Sequence, residues 1–158
     1  MYDEILLPSD GSTAAGFAVE HAFDVATTYG ARVHVLYVVD QSAVDGLVSE
    51  SELVAVALER EGTAVVNEIA GLAADRGVDI TTDVRTGYPA RTILDYVAEN
   101  DIDLVVMGTH GRRGVDRYLL GSVTERVVRG ADVSVLVVRE TSGGTDAGRT
   151  DERSEAAG

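Results

Sequence analysis

The stretch Ile102-Asp103-Leu104-Val105-Val106-Met107-Gly108-Thr109-His110-Gly111-Arg112-Arg113-Gly114, with Gly121-Ser122-Val123-Thr124-Glu125 a few residues on, decides how the rest of the chain is read. Its apolar run predicts a strand, its glycines a loop, and Ser122 the start of a helix. Glycines let a backbone approach a ligand without side-chain obstruction, and the free N–H groups of a helix N-terminus attract anions. Something negatively charged is expected to sit there.

Outward from that stretch, apolar runs and helix-period segments alternate. Residues 5–7 form a first strand, ended by Pro8-Ser9-Asp10-Gly11-Ser12, where Asp10 or Ser12 can cap the next helix. In that helix Ala14, Ala18, His21, Ala22, Val25 and Tyr29 make a stripe, closed by Gly30. The run 33–39 is nearly continuous, as in a parallel strand buried on both faces. A loop is expected over 40–49, then a long helix over 50–76 with Val54, Leu58, Val65, Ile69, Leu72 and Ala73 on its inner face. Residues 80–85 alternate and predict an edge strand with one wet face. Gly87-Tyr88-Pro89 opens a helix with Ile93, Leu94 and Val97 inside; residues 102–107 are the fourth strand, 122–129 a last helix, and Val133-Ser134-Val135-Leu136-Val137-Val138 the fifth strand. His21 and His34 are expected in the core. Five strands separated by helices predict one α/β domain over 1–139, a doubly wound parallel sheet, with 140–158 a disordered acidic tail.

The chain of 158 residues holds 27 acidic and 13 basic residues, a net charge of −14, and every basic residue is arginine. That balance resembles proteins adapted to high internal salt, where the Debye length of ~3 Å at 1 M screens self-repulsion. It argues against nucleic acid or an anionic membrane as partner, since both need a basic face. With no cysteine, disulfides and thiolate chemistry are excluded; with no lysine, so are a P-loop lysine and a Schiff base. No apolar run reaches the roughly 20 residues of a membrane helix, and Met1-Tyr2-Asp3-Glu4 lacks a basic leader region, so a cytoplasmic location is expected.

Neither G-x-G-x-x-G nor G-x-x-x-x-G-K-[ST] occurs. What occurs is Gly108, two residues, Gly111, nine residues, then Gly121-Ser122. Ser122-Val123-Thr124-Glu125 also fits a capping box, with the serine bonding the third helical N–H and the glutamate reaching back. A box explains Glu125, yet not the preceding glycines or the pair Arg112 and Arg113. Those two arginines are either outer-phosphate contacts or a solvated loop.

These residues resemble the ATP-binding branch of the universal stress protein family. The likeness runs from Met1-Tyr2-Asp3-Glu4-Ile5-Leu6-Leu7-Pro8-Ser9-Asp10-Gly11-Ser12 through Leu36-Tyr37-Val38-Val39-Asp40 and Gly87-Tyr88-Pro89 to Val105-Val106-Met107-Gly108-Thr109-His110-Gly111. Gly108, Gly111, Gly121 and Ser122 match the family's nucleotide motif. The resemblance implies strand order 3-2-1-4-5 with helices on both faces, so that Pro8-Ser9-Asp10 and the Gly108 loop meet where the order reverses. It implies that Asp10 bonds the base or ribose, that Pro8, Val38 and Met107 line the adenine pocket, and that Gly108, Gly111, Gly121, Ser122, Val123 and Thr124 hold the phosphates. Ser9 belongs to the same site by its place in the first segment, and Arg112 by its place in the loop.

The ligand implied is ATP, with AMP or ADP as alternatives, and Mg²⁺ held through the phosphates rather than by a protein metal site. Homodimers through Val133 to Val138 and an unidentified regulatory partner are also implied. The expected role is a nucleotide-dependent stress-response module without catalytic residues; the rival is a slow ATPase or phosphoryl or nucleotidyl transferase, disfavoured because no lysine or evident base is placed for transfer.

Overall fold

The structure, a computed structural model, describes residues 1–45, 51–110 and 119–140. Its elements run β1 (Glu4–Pro8), α1 (Thr13–Tyr29), β2 (Arg32–Asp40), α2 (Gln41–Asp45), α3 (Ser51–Arg76), β3 (Ile80–Gly87), α4 (Pro89–Glu99), β4 (Leu104–Gly108), α5 (Ser122–Gly130) and β5 (Ser134–Val138). All pairings are parallel and the order is β3-β2-β1-β4-β5, as the resemblance implied.

Strand alternation sorts the apolar runs onto two faces. Ile5, Leu7, Val33, Val35, Val39 and Val106 pack with Phe23 of α1 and Val66 and Ile69 of α3. Leu6, Leu36, Val105 and Met107 pack on the other side with Ile93, Tyr96 and Val97 of α4 and Val127 of α5. Helices therefore cover both faces, which is why the middles of β1, β2 and β4 can be apolar on both sides, with His34 the exception. Among the described residues no helix is long and apolar enough to cross a membrane.

Several expectations need correction. Within the expected loop 40–49, residues 41–45 form the short helix α2; the remainder, the expected start of α3 at Glu50 and the tail 141–158 lie outside the described residues. The inward stripe of α1 is Ala15, Ala18, Val19, Ala22, Phe23 and Ala26, rotated from the expected one because Phe23 offers the largest apolar area. His21 is consequently exposed, its Nδ1 3.1 Å from Phe17 O of its own helix, and Tyr29 and Leu72 also face solvent. His34 is buried as expected: Nδ1 lies 2.8 Å from Tyr96 Oη and Nε2 2.5 Å from Glu4 Oε2. The pair of neutral and acidic partners satisfies both ring nitrogens, which a buried imidazole requires.

β3 is an edge, yet its polar face is only partly wet. Arg85 bonds Asp83 at 2.9 Å and Glu99 at 2.8 Å, and its guanidinium lies 4.6 Å from the Tyr96 ring centroid. α4 thus roofs Asp83 and Arg85, leaving Thr81 outside.

Candidate functional site

β1 and β4 are neighbours, and their chains leave toward opposite sides of the sheet, so a crevice opens beyond their carboxyl ends. There lies a cavity of about 430 Å³, within the ~300–1,000 Å³ range of small-molecule sites. Pro8, Ser9 and Asp10 enter it from β1, Val38 from β2, Met107 and Gly108 from β4, and Gly121, Ser122, Val123 and Thr124 from the start of α5. Ten of the residues singled out in the sequence therefore meet in one place. Gly111, Arg112 and Arg113 lie outside the described residues.

The β1 side is held by its own polar groups. Ser9 N donates to Leu36 O at 2.9 Å, which fixes the chain as it leaves the strand. Ser12 N donates to Asp10 Oδ1 at 2.9 Å, a side-chain turn that aims Asp10 at the cavity rim, and Ser12 Oγ accepts from Ala15 N at 3.2 Å as the cap of α1. Of the two expected cap candidates, Ser12 takes the role.

The α5 side departs from the capping box. The N-cap is Gly121, in extended backbone and with no side-chain cap bond, so Ser122 is the first helical residue and is exposed. Glu125 turns away to Arg129, 2.8 Å distant and one turn later, and Thr124 Oγ1 donates to Gly108 O at 2.9 Å. The reason is the last carbonyl of β4: it needs a donor in a buried place, and Thr124 supplies one. The helix start keeps amides that no cap consumes, a stronger anion site than a capped one.

Gly121 is required by close approach rather than by φ. Its N–H donates to Thr109 O at 2.7 Å, and a Cβ on it would stand 3.0 Å from His110 Cα and 3.2 Å from His110 Cβ.

His110, the histidine that the sequence places near the site, also lines the cavity. The sequence reading missed the rest of the wall, which Ala15, Leu36, Tyr37, Val39, Asp40, Ala43, Leu58, Pro89 and Ile93 form. Asp40 and Pro89 stand inside the matched segments, and the rule that ligands sit beyond strand carboxyl ends points to Asp40. Ala43 falls where the sequence predicts a loop, and Leu58 is expected on the inner face of the long helix, so neither carries such a signal. Among the described residues no cluster of histidine and carboxylate could hold a metal ion.

The profile of the universal stress protein family matches residues 1–139. Universal stress protein MJ0531 of Methanocaldococcus jannaschii is 39% identical over 142 residues, spanning 89% of this chain and 84% of that protein. The solved structure of hypothetical protein MJ0577, from the same organism, superposes with a TM-score of 0.82 at 28% identity, covering 90% of this chain and 99% of that one. A universal stress protein family structure from Arabidopsis thaliana with AMP bound superposes with a TM-score of 0.64, over 92% of this chain and 97% of that one; at 16% identity the likeness is one of fold.

Proposed function

The chain belongs to the universal stress protein family, and from that premise we propose that it is an adenine-nucleotide-binding regulatory module of the cytoplasm. The observation that carries the reading is one cavity with two unlike ends. Pro8, Val38, Ile93 and Met107 form an apolar slot suited to a planar base, and it runs to the uncapped α5 N-terminus at Gly121. Asp10 lies beside that slot, where its carboxylate can accept from ribose hydroxyls or an exocyclic amine. The AMP-bound Arabidopsis thaliana protein of the same fold supports an adenine nucleotide as ligand.

ATP is the ligand we favour, and AMP or ADP fit the same slot. The amides of Ser122, Val123 and Thr124, with Gly108 and Gly121 giving access, hold the phosphates; Gly111 and Arg112 complete the motif in sequence. Asp10 and Asp40 are the described carboxylates lining the cavity and form no metal cluster, so Mg²⁺ would be held by the phosphates. Occupancy then alters how the protein meets a regulatory partner, as a homodimer paired through the β5 edge.

Native mass spectrometry of protein purified in high salt and incubated with ATP and Mg²⁺ tests this. Nucleotide retained intact by the wild type and lost in Gly121→Val supports a binding module. Steady ADP release that Gly121→Val abolishes would replace it with the enzyme reading, and no retention at any concentration would leave a scaffold with an empty pocket.

A further inference from the structure

Three described side chains lining the cavity can carry charge near neutral pH, Asp10, Asp40 and His110, and only one of them can be positive. Arg112, which completes the motif in sequence, lies outside the described residues, so among the described ones His110 is the cationic candidate at the phosphates. Arg32, Arg76, Arg85 and Arg129 are each tied to a carboxylate elsewhere, and no described arginine lines the cavity.

His110 is placed against the helix start. Its Cα and Cβ are the atoms nearest to where a Cβ on Gly121 would stand, so the root of this side chain adjoins the α5 N-terminus and the residue lines the same cavity. Its Nδ1 is 3.0 Å from Thr109 Oγ1. With the hydroxyl engaged at Nδ1, Nε2 is the ring nitrogen left for a ligand.

We propose that His110 sets the preference of this site by phosphate charge: its imidazolium joins the α5 amides around the phosphate tail, so that ATP is held over AMP by a margin that widens as pH falls. The proposal rests on the nucleotide reading above and adds to it a selectivity and a pH dependence. An anion between imidazolium and helix start is attracted from two sides, and histidine is the side chain that titrates between about pH 5 and 8. Among the described residues, the titratable groups that line the cavity with His110 are Asp10 from the β1 loop and Tyr37 and Asp40 from β2, while Thr109 from the end of β4 stands at its Nδ1. From α5 the nearest charge is Glu125, bound to Arg129, while α1 and α4 present Ala15, Pro89 and Ile93, all uncharged.

Calorimetry with ATP, AMP and adenosine from pH 5.5 to 8, at fixed ionic strength, is run on wild type, His110→Gln and the smaller His110→Asn. Proton–carbon NMR of the wild-type imidazoles runs in parallel, the His110 signal being the one both variants lack. ATP should raise the His110 titration midpoint and adenosine should not; a rise of one pH unit means about tenfold tighter ATP binding on the acid side. Both variants should keep adenosine affinity and lose the matching part of the ATP slope, the titration of ATP's own phosphate cancelling in the comparison. A midpoint that ATP leaves in place while ATP binds, or an unchanged slope in the variants, overturns the assignment to His110 alone. Failure of all three ligands to bind any form overturns the nucleotide reading itself, and the proposal with it.

Discussion

Thr124 Oγ1 donates to the carbonyl oxygen of Gly108 across 2.9 Å, joining the first turn of α5 to the last residue of β4. Both line the cavity, and this hydroxyl, with the Gly121 N–H that donates to Thr109 O, fixes the distance between strand end and helix start.

Thr124→Val keeps the shape and removes the donor. Because the site is buried, the Gly108 carbonyl is left without it, at a cost of about 1–3 kcal/mol. Urea unfolding should show that loss, with nucleotide affinity falling in parallel; Thr124→Ser should recover most of both. Equal stability of Thr124→Val and wild type would show that the bond holds nothing in place.

Gly62→Ala separates two opposed effects. In a helix interior that change ordinarily gains about 1 kcal/mol. Here a Cβ would stand 2.5 Å from Cδ1 of the buried Tyr37 ring, and overpacking costs about 1–3 kcal/mol. Overpacking wins: the melting temperature should fall, and since Tyr37 lines the cavity, ligand binding should weaken with it. A stabilised variant would mean that α3 shifts freely.

Tyr96 supplies the pH test. Burial, with Asp83 adding repulsion, pushes its phenol above the ordinary value of 10.0, partly offset by Arg85. A group whose folded value is raised contributes nothing to lose below its unfolded value, and stability falls as pH rises from there through the folded value. Denaturation midpoints of the wild type should therefore drop above about pH 10 more steeply than those of Tyr96→Phe. At neutral pH the order reverses, because the phenylalanine leaves His34 Nδ1 without its 2.8 Å partner.

The β5 edge gives an assembly test. Leu136 is 37% exposed on an otherwise apolar last strand, an arrangement that invites pairing with another chain. Light scattering should report a dimer for the wild type in high salt and a monomer for Leu136→Arg. A monomeric wild type at micromolar concentration would count against pairing.

Strand existence was readable because parallel strands buried on both faces leave nearly continuous apolar runs, as at Val33 to Val39. Strand order came instead from the family likeness: nothing local in β1 states that β4 rather than β3 lies beside it. Rotation of α1 was misjudged because alanines occur all round the helix, and Phe23 decides which face turns inward. The capping box failed for a related reason, since a matching local pattern at Ser122 and Glu125 yielded to a distant carbonyl at Gly108. About half of the cavity wall could be foreseen, from the glycine spacing, from Pro8-Ser9-Asp10 and, for Val38 and Met107, from the family likeness. The contributions of Leu58 and Ala43 could not, since they arise from how α2 and α3 fold back over the crevice.

The two rims of the sheet are unlike. One carries Asp83 and Arg85 under Tyr96 and Glu99, with threonines outside; the other ends in valines and a leucine. A newcomer strand finds paired, partly exposed charge at the first and hydrocarbon at the second, so the second is the rim that favours strand addition. If a symmetric mate covers that rim, as proposed, the described sheet offers no second apolar rim from which a filament could propagate, and association would stop at a closed pair.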